Sequence, residues 1–327
     1  MKKYLFLGFA AVALTLASCS NEETVKAPAG KAISFGNAFV NNSTRSGADL
    51  TNTTITEFGV YGYMGEVGGE IFNNERVYLD GTTWKYQNTQ YWVPGKDYWF
   101  AALAPMTAAT FEPGTTLPAT GNFGTITYNN SQQLDLLYAC QPKKTAAANA
   151  NSPVAFTFDH MLSRTKFTFT NDATNSHVSF SVSNLKITSV PVKASINMAD
   201  ATPAWTPTAD NTNSSMDYTI SNTAITTTGD AKTNASESRY LLSIPGQYTV
   251  TFDVNVLQNG VDINGGTAYT KTVTIKDGSN NFNFQRGYSY NFTISLTFAN
   301  VVEDTEEITF TATQNAWVDG GDNGLEL

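Results

Sequence analysis

Short stretches in which apolar and polar residues alternate recur along most of the chain. A period of two is typical of β-strands with one buried face. Clear examples lie at residues 55–64, 248–257 and 288–298, while residues 98–105 form a continuous apolar run of the length expected for a fully buried strand. No helical period is sustained long enough to build a helical layer. The pattern therefore predicts an all-β protein.

Turn residues separate these stretches at regular intervals. Asp80-Gly81 lies between two alternating segments, and glycine accepts the positive φ that a tight hairpin needs. Strands spaced in this way predict two packed β-sandwiches. An Ala/Asn-rich segment at residues 143–153 suggests a boundary nearby, so we expect an N-terminal sandwich at 46–160 and a C-terminal one at 161–327.

The first strand is expected at residues 33–40. Alternation there places Ile33, Phe35 and Phe39 on one face, and a polar loop ending in Arg45 follows, which a trypsin-like protease could cut. A strand removed from a sandwich leaves unpaired backbone groups and empty pockets, and such an edge invites an incoming strand. We interpret residues 33–40 as a removable strand.

The last predicted strand has the matching half-buried pattern. Ile308, Phe310 and Ala312 share one face, while threonines occupy the other.

The N-terminus has the pattern of a bacterial lipoprotein signal. A basic start is followed by an apolar region too short to span a bilayer, and Leu16-Ala17-Ser18-Cys19 matches the lipobox. This predicts a signal peptide at 1–18, a lipid on Cys19 and a lipidated propeptide at 19–45. The alternative is an ordinary cleaved signal peptide with a chance cysteine. Lipidation would leave Cys140 as the only thiol, so no intrachain disulfide is expected.

Composition limits the classes of partner. Hydrophobic residues make up 41% of the chain, enough for a substantial core, and the net charge is −9. Nucleic acid demands a basic face, so the acidic balance argues against nucleic acid and against direct binding to an anionic membrane surface.

Catalytic motifs are missing from the sequence. It has only two histidines and shows no zinc-type spacing, no Gly-x-Ser-x-Gly, no phosphate-binding glycine loop and no dinucleotide fingerprint. We therefore expect no catalytic residue, no metal and no cofactor, and a protein that is not an enzyme. His160 beside Asp159 and Arg164 is a candidate acid/base group, but a structural histidine at a corner between strands is favoured. The acidic residues at 303–307 could mimic the paired carboxylates of a glycosidase, but a solvated hinge is the favoured interpretation.

Tryptophans suggest one alternative function. Trp84, Trp92 and Trp99 would form a sugar-stacking platform if exposed, although alternation places most aromatic residues in the core. The alternative is a non-polymerising outer-surface lipoprotein that binds glycans.

Several motifs, in their order along the chain, carry a family resemblance. They are the lipobox at Cys19, Ala32-Ile33-Ser34-Phe35, Thr44-Arg45-Ser46, the aromatic run at 84–105, Asp135-Leu136-Leu137-Tyr138-Ala139, residues 158–164, residues 240–245 and residues 287–292. With these motifs the chain resembles the fimbrillin-like (major and minor fimbrial antigen-like) lipoproteins of Bacteroidetes, which are type V pilus subunits.

The resemblance implies a fold, a location and an assembly route. It implies two tandem transthyretin-like β-sandwich domains, export as an outer-membrane lipoprotein held by the lipid on Cys19, and later residence in a cell-surface fimbrium that supports adhesion. An arginine-specific protease would cut the Arg45–Ser46 bond and release the first strand. Other pilus subunits would then insert a strand into the groove, with residues 308–318 as the candidate donor. Those residues could equally complete the subunit's own second domain. A host or bacterial surface ligand is a further expected partner.

Overall fold

The computed structural model of the chain describes residues 30–41, 50–52, 54–66, 69–114, 117–118, 121–146, 151–209, 214–220, 225–226, 233–277, 279–316 and 325–326. These residues confirm an all-β fold built from several sheets. Helical structure within them includes a 3₁₀ turn at Asn130–Gln132 and a π-helical turn at Ala299–Glu303. None of the helices in the described ranges is long and apolar enough to cross a membrane.

The first half of the chain contributes ten strands. They are Phe35–Val40 (β1), Glu57–Met64 (β2), Glu70–Asp80 (β3), Thr83–Lys85 (β4), Asp97–Ala104 (β5), Ala109–Glu112 (β6), Thr125–Asn129 (β7), Leu137–Thr145 (β8), Val154–His160 (β9) and Ser163–Asn171 (β10).

The second half contributes fourteen strands of different lengths. They are Val178–Val190 (β11), Lys193–Asn197 (β12), Thr206–Pro207 (β13), Ser214–Asp217 (β14), Ile225–Thr226 (β15), Thr233–Ala235 (β16), Arg239–Leu241 (β17), Tyr248–Gln258 (β18), Val261–Asp262 (β19), Tyr269–Asp277 (β20), Asn280–Asn281 (β21), Tyr288–Leu296 (β22), Phe310–Ala316 (β23) and Leu325–Glu326 (β24).

The N-terminal sheet has seven strands in the order β1-β9-β8-β5-β2-β3-β4. Its edge strands β1 and β4 lie next to each other, so the sheet curls around a core that includes Phe58 and Phe100. Its opposite face, with Tyr63 and Trp99, packs on a four-stranded sheet of order β13-β12-β7-β6. Because both faces are covered, β5 is buried along nearly its whole length, as its continuous apolar sequence predicts.

The C-terminal part has one core between two sheets. The first has the order β16-β10-β22-β23-β24 and the second β14-β11-β18-β20-β21. Strict alternation of buried and half-buried residues along β10 and β18 shows that each sheet covers the core with one face.

One pair of strands crosses the domain boundary expected near residue 160. β12 pairs with β7 in antiparallel register, from Lys193 opposite Asn129 to Asn197 opposite Thr125, and β13 pairs with β12. The segment containing β12 and β13 therefore leaves the C-terminal part and completes a sheet of the N-terminal part. Such non-local pairing has no local sequence signal, because alternation predicts a strand but not its neighbour.

The hairpin predicted at Asp80-Gly81 is confirmed. β3 and β4 pair from Tyr78 opposite Lys85 to Asp80 opposite Thr83, and Gly81 has φ +64°. This hairpin brings β4 beside β1 and so shapes one wall of the groove described next.

Candidate functional site

The first strand is bonded on two sides by different segments. Before β1 begins, the Ile33 N–H donates to the Gln90 carbonyl at 2.8 Å and the Trp92 N–H donates to the Lys31 carbonyl at 2.9 Å. From Ser34 onward the chain runs parallel to β9, whose Val154 N–H donates to the Ser34 carbonyl at 2.7 Å. Residues 31–40 therefore form backbone hydrogen bonds to both β9 and residues 90–92, and so close the seam between these two segments.

Phe35 fills the centre of this seam. Its ring centroid lies 5.2 Å from Tyr86, 5.6 Å from Phe72 and 6.1 Å from Phe156. Phe100 lies at 6.4 Å and completes a set of four surrounding aromatic rings. We call the space around Phe35, bounded by these four rings, the first-strand groove. Pairs of this geometry add about 0.5–1.5 kcal/mol each beyond simple burial, so Phe35 is the main apolar anchor of the strand.

The predicted common face of the first strand does not extend to Phe39. Ile33 and Phe35 are buried at 1% and 5% exposure, as expected, but Phe39 is 50% exposed. The register against β9 shifts between Phe35 and Ala38, which is a β-bulge. One extra residue reverses the alternation, so Ala38 and Val40 point into the core instead. Placing Phe39 on the buried face was therefore wrong.

Polar contacts fix both ends of the first strand. At its start the Lys31 ammonium donates to the Asn151 side chain at 2.5 Å. At its end the Val40 N–H donates to the Asn52 side chain at 2.5 Å, and the Asn41 amide donates to Asp159 at 2.8 Å. The strand thus has defined limits just before the predicted cleavage loop.

The predicted processing residues, Cys19, Arg45 and Ser46, lie outside the described ranges. The described residues on either side of the loop at 42–49 are Asn41 and Leu50, and both are bonded to one region of the N-terminal sheet.

That region centres on a buried pair, Asp135 and His160. The His160 Nδ1 lies 2.9 Å from an Asp135 carboxylate oxygen, with both side chains 1% exposed. The other Asp135 oxygen accepts from the Leu50 N–H at 3.0 Å. Asp159, next to His160 on β9, binds Asn41. The pair thus binds Leu50 and the neighbouring Asp159 binds Asn41, the two described residues that flank the predicted cleavage site.

This geometry supports the structural role favoured for His160. Burial and the contact to Asp135 place it in the corner between β8 and β9, where Leu137 pairs with His160. Sequence reasoning missed the role of Asp135. The available signal was a lone carboxylate inside the apolar run at 134–139, since a buried charge needs a partner.

The candidate donor strand lies within the subunit's own sheet in this structure. β23 pairs with β22 from Tyr288 opposite Ala316 to Ile294 opposite Phe310. Ile308 and Ala312 are buried at 9% and 7% exposure, and the half-buried Phe310 ring packs against Phe292 at 5.4 Å. The predicted common face of these three residues is thus observed. β24 bonds the other edge of β23 only at Thr313 and Gln314.

The tryptophans considered as a sugar platform are mostly inside the protein. Trp92 and Trp99 are 2% and 6% exposed, and Trp84 packs on Phe58 with centroids 5.0 Å apart. Rings in these positions stabilise the core, and because only Trp84 of the three is half-buried, they do not form a platform of exposed rings.

Cys140 is a weak candidate for chemistry. Burial raises the pKa of its thiol to about 11, and the thiol donates to the Asn122 side chain at 2.9 Å. At neutral pH it therefore stays protonated and unreactive. Within the described ranges, no group of three His, Cys, Asp or Glu side chains is arranged to hold a metal ion.

Comparison with known proteins places the chain in a family. A search of curated proteins returned no match. A fimbrial protein from Bacteroides vulgatus is 16% identical with a TM-score of 0.58, covering 88% of this chain and 100% of its own. A candidate cell adhesion protein from Parabacteroides distasonis is 12% identical with a TM-score of 0.54, covering 90% of this chain and 98% of its own. Both share the fold. The family model described as fimbrillin-like matches residues 44–317, and the chain therefore belongs to the fimbrillin-like family.

Proposed function

We propose that this chain is a structural, non-enzymatic subunit of a type V pilus that supports adhesion. It is exported as a lipoprotein on Cys19, cleaved after Arg45 and polymerised by donor-strand exchange on the cell surface. The observation that carries the proposal is the position of the first strand, which closes a seam around the buried Phe35 and ends directly before the loop that contains Arg45.

Loss of the first strand would leave a groove suited to another strand. β9 would expose its free edge, and residues 90–92 would lose their backbone partners. The pocket around Phe35 would expose four aromatic rings to water. An incoming strand with an aromatic residue at the matching position would restore both the hydrogen bonds and the burial.

The proposed donor is β23 and the residues that flank it. It lies next to the short β24, and its apolar residues Ile308, Phe310 and Ala312 alternate as an inserted strand requires. Leaving its own sheet would break its ladder with β22, so exchange requires that the neighbour's groove offer equal or better pairing.

Cleavage of the purified precursor by an arginine-specific protease tests the proposal. We expect a new N-terminus at Ser46, followed by oligomers that withstand dilution, measured by mass spectrometry and light scattering. An Arg45→Ala variant is the matched control and should stay monomeric. A cut at Arg45 that yields only monomers would contradict assembly by strand exchange.

A further inference from the structure

A cleft lined by both polar and apolar residues lies where the N-terminal sheet meets the C-terminal part. Its volume is about 830 Å³, and its walls include residues of β9, the start of β8, residues 203–205, Ser243, Pro245 and residues 283–288. It opens beside Asn41 and Asp159 and therefore next to the end of the first strand.

Arg286 is the cation of this cleft, and its loop is fixed on both sides. The Gln285 N–H donates to the Tyr290 hydroxyl at 2.8 Å, and the Gly287 N–H donates to the Leu162 carbonyl at 2.9 Å. Gly287 has φ +71°, which favours glycine. The guanidinium is thus presented from a rigid backbone.

Arg286 lacks a full counter-charge. Among the described residues, no carboxylate forms a close ion pair with Arg286. Asp159 is the acidic group whose charge acts on the Arg286 guanidinium. Partial burial lowers the pKa of Arg286 more than Asp159 raises it. A desolvated guanidinium in this state gains from a bidentate carboxylate.

Neutral polar groups surround this cation. Asn122, Asn283 and Ser243 line the cleft, and because the Ser243 hydroxyl oxygen is itself buried, the two amides are the neutral polar groups that a ligand can reach. Asp159 binds Asn41 through one oxygen, so its carboxylate retains capacity to accept further hydrogen bonds. The cleft therefore offers one cation for an anion and several acceptors and donors for hydroxyl groups.

We propose that this cleft binds an acidic saccharide, with its carboxylate on Arg286 and its hydroxyls on Asp159 and Asn283. A peptide rich in carboxylates fits less well, because Asp159 would repel each charge beyond the one that Arg286 neutralises. The site needs neither cleavage nor polymerisation, so its test is independent of the assembly proposed above.

Ligand-observed NMR titration of the uncleaved precursor tests the site, with glucuronate and glucose as probes. We expect glucuronate to bind with a Kd on the order of millimolar and glucose at least about tenfold more weakly. Arg286→Gln should reduce glucuronate binding about tenfold and leave glucose binding unchanged. Arg76→Gln is the matched control, because Arg76 is exposed and already paired with Glu57 at 2.6 Å.

Three results would overturn the proposal. One is equal binding of glucuronate and glucose by the unmodified chain, which needs no variant to fold. Another is absence of glucuronate binding up to about 100 mM, far above the expected millimolar range. The third is stronger binding of a synthetic peptide of residues 319–327, which carries three carboxylate side chains and none of the hydroxyls of a sugar.

Discussion

Two phenylalanines four residues apart in the first strand have opposite environments. Phe35 is enclosed by four aromatic rings, while Phe39 is half exposed. Composition and hydropathy cannot distinguish them. The β-bulge between them decides which ring contributes to stability, so the pair provides a matched test of the groove.

Phe35→Ala should lower the free energy of unfolding of the uncleaved chain by about 3 kcal/mol, because it empties an aromatic pocket that cannot fully collapse. Phe39→Ala should change it by less than about 0.5 kcal/mol, as is usual for exposed positions. Urea denaturation followed by fluorescence measures both values. Equal effects would show that the first strand does not hold the orientation described.

The first strand depends on the elements that hold its two ends. β9 supplies the parallel ladder, residues 90–92 supply the opposite edge, and the corner between β8 and β9 binds Asn41 and Leu50. The two described residues that flank the proposed cleavage site, Asn41 and Leu50, are therefore fixed. Cleavage between them would separate β1 from β2 without breaking any of these contacts, so loss of β1 would be a separate step.

Asp135→Ala should destabilise the chain by about 2–3 kcal/mol, because it leaves the Leu50 N–H and the His160 ring buried without this carboxylate. The matched control is Asp97→Ala, which removes a partly exposed ion pair with Lys143 and should cost less than about 1 kcal/mol. Chemical denaturation compares the two. Similar losses would mean that the buried pair does not organise the corner.

Sequence patterns predicted where the strands lie better than which strands pair with each other. Alternation and turn residues located β2, β5 and the β3–β4 hairpin, because those signals are local. The bulge in β1, the pairing of β12 with β7 and the contact between Asp135 and His160 depend on chain segments far apart in sequence. No local pattern carries that information. The Arg286 cleft was missed for the same reason, since its walls come from segments far apart in sequence.

The whole molecule contains many tyrosines whose hydroxyls lie in or near the cores. Burial is the main cause that raises the pKa of Tyr63, Tyr248 and Tyr290 to about 12, from an ordinary value of 10.0. A tyrosine with a raised pKa in the folded state stabilises the fold fully below its unfolded pKa. That stability is lost as the pH rises from the unfolded value through the folded one.

The urea midpoint should therefore be insensitive to these tyrosines below pH 10 and should fall between pH 10 and pH 12. The tyrosinate absorbance contributed by these three residues should rise together with unfolding. A midpoint that stays constant to pH 12 would contradict the burial described.

We propose that the first strand occupies the position that a neighbour's strand takes in the assembled pilus. The most direct measurement is competition during assembly of the cleaved subunit, using a synthetic peptide of residues 30–41 and the same peptide with Phe35→Asp. We expect the native peptide to suppress oligomers in proportion to its concentration and the Phe35→Asp peptide to have no such effect. Oligomers that form equally well with either peptide, while the native peptide stays bound in the groove, would contradict it.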